Sequence, residues 1–217
     1  MKIFIQKERD TALHYNMSLL GGFLGTYTLL LRGGNFGSAQ TGNFLETMIS
    51  LSEKNFAEVG IRIGAAVVYA VSLIISYILT NYSKTNMKKL VLIVEAIGLC
   101  IAAFIPLSAD PVLALYPIFA IMSFQWGTYS GSKGYNSASV FMTNNFKQSV
   151  LGWTRFFFEH DPKEKEKACL YTTTVVSFLI GAFLGCISVY QWGRYAAFAG
   201  LLPLLTAWII LSYKSEK

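Results

Sequence analysis

The chain has 217 residues, 53% of them hydrophobic and 14% charged, with a formal net charge of +6 and a mean hydropathy of +0.46. A single soluble domain does not normally bury that much apolar material, so the composition excludes an ordinary soluble globular protein and points to a membrane chain. The positive balance falls largely in loops, where it suits anionic lipid headgroups, and no basic, aromatic-interleaved domain is present to bind nucleic acid.

From the N-terminus, Lys2, Lys7 and Arg9 precede an apolar segment near His14 to Leu31. No small-residue cleavage site follows it, so it reads as a retained first span rather than a signal peptide. Asn35 to Ser52 is helix-like but interrupted by Ser38, Gln40, Thr41, Asn43 and Glu46. Segments long enough to cross a hydrocarbon core of about 30 Å follow near Val59 to Thr80, Leu90 to Leu107 and Pro111 to Ser130. Ser137 to Phe158 is again helix-like and interrupted, by Thr143, Asn144, Asn145, Lys147 and Gln148; Ala168 to Tyr190 and Tyr195 to Tyr213 complete the spans. Trp153, Tyr190, Trp192, Tyr195 and Tyr213 near span ends read as interfacial anchors. Gly21/Gly25, Gly60/Gly64 and Gly181/Gly185 have the spacing that lets helix backbones approach closely, within one subunit or, alternatively, across a homodimer.

The chain carries an internal repeat. Gly25-Thr26-Tyr27 followed by Thr41, Asn43 and Phe44 returns as Gly127-Thr128-Tyr129 followed by Thr143, Asn145 and Phe146, always 102 residues later. Unrelated segments of that length would share roughly one or two identities. Residues 1–107 form a first membrane repeat and 108–217 a second, within one membrane domain. If both interrupted segments re-enter rather than span, Lys and Arg divide 14 to 4 in favour of the side holding both termini; if both span, the division falls to 11 against 6 with Lys147 left in the membrane. The positive-inside tendency therefore favours re-entry, with both termini cytoplasmic. Three spans per repeat then make the repeats inverted, and their pseudo-twofold axis brings the two polar motifs together near midplane around a cavity.

Gly33, Gly34 and Gly37 suit an extended lead-in, with helix starting near Thr41. From Thr41 to Ser52 a helix is about 18 Å long, enough to return from midplane to the surface. Its N-terminal N–H groups would face the cavity, and Thr41, Asn43, Thr143 and Asn145 are placed to cap such groups or to bind a solute. The candidate cavity residues are Arg32, Gln40, Thr41, Asn43, Glu46, Glu95, Thr143, Asn144, Asn145 and Lys147. Glu95 falls inside a span, where a carboxylate is costly. Lys147 shares the helix face of Thr143 and could present its charge to the cavity or snorkel to the interface, and Glu46 could pair with Arg32 or Lys147 across the repeat axis. Arg62, in the first turn of its span, is expected at the headgroups.

In Gly21-Gly22-Phe23-Leu24-Gly25-Thr26-Tyr27, Leu31-Arg32-Gly33-Gly34 and Ala39-Gln40-Thr41-Gly42-Asn43 the chain resembles the YoaK-like bacterial membrane proteins, a family classed as a domain of unknown function. The resemblance covers essentially the whole chain, although the second half carries Thr143-Asn144 where the family tends to have Thr-Gly. It implies an integral bacterial membrane protein of about six spans and no established activity.

The expectation is thus an all-α transmembrane protein of about six spanning helices and two re-entrant or broken ones, in the bacterial cytoplasmic membrane. It would act as a transporter or channel for a small polar solute, anionic or neutral. The alternative is a non-transporting scaffold or partner-binding subunit whose polar motifs only satisfy interrupted helices. A membrane enzyme at Glu159-His160-Asp161 is disfavoured, because Asp161, Pro162 and Glu164 read as a helix start. His14 has no partner at ligand spacing, and Cys100, Cys169 and Cys186 lie in no metal or redox spacing, so neither a metal nor a cofactor is expected. No nucleotide-binding loop occurs.

Overall fold

The computed structural model describes residues 2–213, with side chains from residue 6 onward. Lys214 and Lys217, counted in the charge balance, lie outside the described residues. Among the described residues the chain is all-α apart from one small hairpin. The helices are α1 (Lys2–Leu31), α2 (Thr41–Ser52), α3 (Phe56–Tyr82), α4 (Met87–Phe104), α5 (Tyr116–Thr128), α6 (Thr143–Glu159), α7 (Pro162–Trp192) and α8 (Leu201–Ser212). Two strands, β1 (Gly131–Ser132) and β2 (Tyr135–Asn136), pair antiparallel between α5 and α6. Two segments, Phe56–Tyr82 and Pro162–Ser212, are long and apolar enough to cross a membrane.

Local chemistry sets many of these boundaries. Asn55 and Asn86 cap α3 and α4 by accepting from Glu58 N and Lys89 N. Asp161 caps α7 by accepting from Lys163 N, with Pro162 at the first helical position, where its missing N–H costs nothing. The segment expected from Tyr195 to Tyr213 is divided, a 3₁₀ stretch over Gly193–Gly200 preceding α8. A 3₁₀ turn, Leu113–Leu115, likewise opens the segment expected from Pro111. The hairpin was not legible as a strand pair. Its turn depends on Lys133 and Gly134 at positive φ, 54° and 85°, and a Cβ at Gly131 would fall on the Tyr135 carbonyl.

Helix α1 occupies the centre. Leu13, Met17, Leu20, Leu24 and Tyr27 form one buried stripe at helical spacing, and Thr11, His14, Ser18 and Thr28 are buried on the other side. Against α7 the approach is backbone to backbone: a Cβ at Gly22 would strike the Phe178 carbonyl, and one at Gly181 the Leu19 carbonyl. From Leu19 with Gly181 to Phe23 with Gly185 the numbering rises together, so α1 and α7 run parallel. Lys88–Asp10 and Tyr27–Ala102 contacts place α4 parallel to them. Tyr116 on Ile61 and Gly127 beside Ser76 make α3 parallel to α5. Lys88 with Tyr129 and Gly98 with Ile121 set α5 against α4, while Asn16 with Pro203 and Tyr27 with Arg194 set α8 against α1. Of these six helices, α1, α4 and α7 therefore run one way and α3, α5 and α8 the other.

The packing partners come in corresponding sets. α1 lies on α7 as α5 lies on α3; α2 lies on α3 as α6 lies on α7; α1 lies on α8 as α5 lies on α4; and α4 meets α8. Helices α2 and α6, of 12 and 17 residues, are short beside α1, α3 and α7, of 30, 27 and 31. The chain after α1 descends beside α3 until Tyr69 Oη donates to the Ser38 carbonyl, about 20 Å into α3, and α2 brings it back. After the hairpin the chain runs into the middle of α1, where the Ser139 carbonyl lies against Gly21, and α6 brings it back.

Gly181→Ala is expected to lower thermal stability by about 1–3 kcal/mol, because backbone rather than a movable side chain opposes the new methyl. Gly60→Ala, with nothing within 4 Å of the added Cβ, should leave stability unchanged or raise it by up to about 1 kcal/mol. Thermal unfolding of the two variants beside the parent checks both; equal losses would refute the contact as the cause.

Candidate functional site

The two short helices begin at one cavity of about 1220 Å³. Gln40, Thr41, Asn43 and Glu46 line it from α2, and Thr143, Asn144 and Lys147 from α6. α1 contributes Gly22 and Gly25, and Arg62 and Tyr69 reach it from α3. Phe119, Trp126, Phe141 and Phe178 complete an aromatic wall, in which the Trp126 ring lies 6.4 Å from Tyr69 and meets Phe141 edge-on at 5.1 Å.

Neither short helix is capped by a side chain. The residue before α2 is Gln40 and that before α6 is Met142, each in helical conformation with no side-chain cap bond. The first-turn N–H groups thus keep their donors, and each helix end carries roughly half a positive charge. Thr41, Asn43, Thr143 and Asn145 therefore do not act as caps. Each lies inside its helix, where an Asx or Thr side chain cannot reach forward to the N-terminal N–H groups.

Asn43 is buried. Its Nδ2 donates to Gln40 Oε1 at 2.8 Å and to the Arg62 carbonyl at 2.9 Å, which pins α2 to α3 and leaves Asn43 Oδ1 and Gln40 Nε2 without partners. Arg62 is buried rather than at the headgroups. Its Nε pairs with Glu58 at 2.7 Å, one helical turn back, and its Nη1 donates to Asn35 Oδ1 at 3.4 Å. The Glu58/Arg62 spacing is the sequence signal that could have marked it, since such a pair shields the charge as it enters the protein. Lys147 and Glu46 line the cavity while remaining exposed. Among the described residues Glu46 forms no ion pair with Arg32 or Lys147.

Three expected cavity residues lie elsewhere. Arg32 is 2% exposed, yet its guanidinium turns from the cavity to the end of α4, donating to the Pro106 carbonyl at 2.9 Å and the Ile105 carbonyl at 3.2 Å. Those carbonyls follow the last helical turn and have no intrahelical donor, and the two-pronged guanidinium supplies both. Asn145 is fully buried. It accepts from Ser137 Oγ at 3.1 Å and donates to the Ala138 carbonyl at 2.6 Å, so it fastens the incoming loop to α6. Glu95 is fully buried on α4 with neither carboxylate oxygen partnered, and it does not line the cavity.

His14, without a partner in local sequence, has one in space: its Nε2 lies 3.0 Å from Ser137 Oγ, which joins it to Asn145. The partner is 123 residues away, beyond any spacing rule. Among the described residues no three His, Cys, Asp or Glu side chains converge on a metal position. Of the Glu159-His160-Asp161 cluster, Asp161 is taken up by capping and His160 ends α6 in the left-handed region at φ 54°.

Fold and cavity define a helical protein with segments able to cross a membrane and, between two helix starts, a chamber that combines polar side chains with an aromatic wall. The chain belongs to the family described as Protein of unknown function (DUF1275), which matches residues 13–211. This is an uncharacterised family, and the match does not carry the YoaK-like name. No curated protein and no solved structure matches the chain.

Arg32→Ala should destabilise the fold by about 2 kcal/mol, because it removes two charge-assisted hydrogen bonds and leaves the Ile105 carbonyl without its donor. Lys147→Gln should change stability by less than about 0.5 kcal/mol, as for an exposed side chain without a partner. Thermal unfolding of purified protein distinguishes them, and the reverse order would reassign Arg32 to the cavity and Lys147 to the scaffold.

Proposed function

We propose that this is a multi-pass protein of the bacterial cytoplasmic membrane that passes a small polar solute, anionic or neutral, through the cavity between its halves. In this reading α1, α3, α4, α5, α7 and α8, the last together with the 3₁₀ stretch before it, span the bilayer and α2 and α6 enter part-way. Residues 1–107 and 108–217 are inverted repeats, and both termini are cytoplasmic. The observation that carries it is the meeting of two uncapped helix starts, 102 residues apart in sequence, at one chamber that also holds Lys147 and Arg62.

Three further features support it. The corresponding helix contacts exchange when the two halves are exchanged, and α5 and α7 run opposite to α1 and α3 respectively, as an axis in the membrane plane requires. Large apolar side chains such as Ile78, Ile97, Leu179, Phe183 and Leu205 are 49–65% exposed on the outer faces, a surface suited to lipid and not to water. The basic residues also separate along the helix direction. Lys88 joins Asp10, and Lys133 joins Glu8 and Glu166, at one end, whereas Arg32 and Arg194 lie at the other.

Solute preference follows from electrostatics. Two helix starts contribute about half a positive charge each, and the Lys147 ammonium adds a full one, against the single carboxylate of Glu46. Arg62 is largely compensated by Glu58. The chamber is thus net positive and partly desolvated, where such charges act more strongly than at a surface. Its aromatic wall offers apolar contact to the remainder of the solute. No reaction is proposed.

Orientation is tested in a cysteine-free background. Thr85→Cys should react with an impermeant thiol reagent only after cells are opened, and Ser108→Cys should react in intact cells; the converse labelling would overturn the arrangement. Transport is tested by uptake into proteoliposomes across small anions, amino acids and polyols. For a transported anion, Lys147→Gln should reduce uptake about tenfold more than for an uncharged analogue, a difference worth about 1.4 kcal/mol. Equal effects on both solutes would remove Lys147 from the solute path, and no flux of any solute would favour a scaffold.

A further inference from the structure

A second depression lies on the outer face between α4 and α8. It has a volume of about 510 Å³ and is walled by apolar side chains, with Ile93, Ile97 and Ile101 on one rim and Leu205 and Trp208 on the other. Ala96 and Cys100 form its floor. Small residues there, between long branched ones, make a channel rather than a ridge. From Leu92 to Ile101 it follows α4 for about 14 Å. At the end where α4 begins, Lys89 Nζ stands 5.1 Å above the Trp208 ring, and among the described residues it has no carboxylate partner. Its neighbour Lys88 is already joined to Asp10 at 2.8 Å.

We propose that this groove is a binding site for one anionic phospholipid of the cytoplasmic leaflet. One acyl chain lies between α4 and α8, and the headgroup phosphate meets Lys89. The inference rests on the membrane reading above and not on transport. Charge complementarity selects the occupant. A zwitterionic lipid fits the apolar channel equally well but gains less from the ammonium, and a second copy of this chain would have to offer a carboxylate at the depth of Lys89. Basic positions between helices at the cytoplasmic surface bind anionic headgroups by the same physics, and Trp208 holds the ammonium in place through its ring face.

The test is native mass spectrometry of the full chain purified in detergent, with phosphatidylglycerol or phosphatidylcholine of identical acyl chains added. Wild type should retain one phosphatidylglycerol about fivefold more readily than phosphatidylcholine, the effect expected of one lysine at a lipid surface. Lys89→Gln should lower phosphatidylglycerol retention to the phosphatidylcholine level. Cys100→Trp, which fills the channel, should lose both lipids. Equal retention of the two lipids by wild type overturns the proposal without reference to any variant, as does an undiminished preference in folded Lys89→Gln. A dimeric mass that resists added lipid and disappears in Cys100→Trp would assign the groove to a second copy and also overturn it. Because no flux is read, failure of the transport reading leaves this result intact; failure of the membrane reading would appear separately, as protein that stays monodisperse without detergent.

Discussion

The close approach of α1 to α7 is the contact on which the arrangement depends. In the membrane reading proposed above, lipid tails are as apolar as leucine, so burying a leucine between helices gains little and dispersion between well-fitted surfaces has to serve instead. Gly22, Gly181 and Gly185 meet that need by letting backbone carbonyls of one helix rest where side chains of the other would stand. With α7 so near, α1 is enclosed on all sides, and the polar positions along it become available to the segments that come in from either end. The same glycine-rich stretch, at Gly22 and Gly25, also forms part of the cavity lining.

Non-helical backbone in the interior must find partners within the protein, and the segments leading into α2 and α6 do so differently. The one before α2 borrows side chains of long helices: Thr28 Oγ1 accepts from Gly37 N at 3.1 Å, and Tyr69 donates to the Ser38 carbonyl. The one before α6 builds its own ladder in the hairpin and then lies along α1, through Thr11 with Ser132, His14 with Ser137, and Gln125 with both Ser139 and the Met17 carbonyl. Similar short helices thus start at the cavity from unlike supports, as expected where only Thr, Asn and Phe of the motif recur.

Much of the helical plan was legible from apolar runs and from local punctuation, such as Thr41 as the first residue of α2 and Asp161-Pro162 at the start of α7. Those signals act within a few residues and leave marks in the chain. Arg32 was misread because its acceptors lie 73 and 74 residues away, at the frayed end of another helix. Asn145 was misread because a polar residue beside a helix start looks the same whether it faces a chamber or a loop. The aromatic wall was illegible for a related reason. Phe119, Trp126, Phe141 and Phe178 sit in apolar surroundings of sequence, where nothing separates a ring that faces lipid from one that faces a void.

Unlike supports also make the two halves mechanically unequal. Gly33 and Gly34, at φ 61° and 79°, form a swivel clamped on one side by the Arg32 guanidinium, and a Cβ at Gly34 would touch nothing within 4 Å. The hairpin instead is laddered, tethered by Tyr171 through the Asn136 carbonyl, and ion-paired through Lys133 to carboxylates on two helices. Small torsional adjustments at the glycine pair cost little, whereas moving the hairpin breaks several bonds at once. Any give in the loop before α2 therefore lies at the glycine pair, while α2 itself is fastened to α3 through Asn43 and the Arg62 carbonyl.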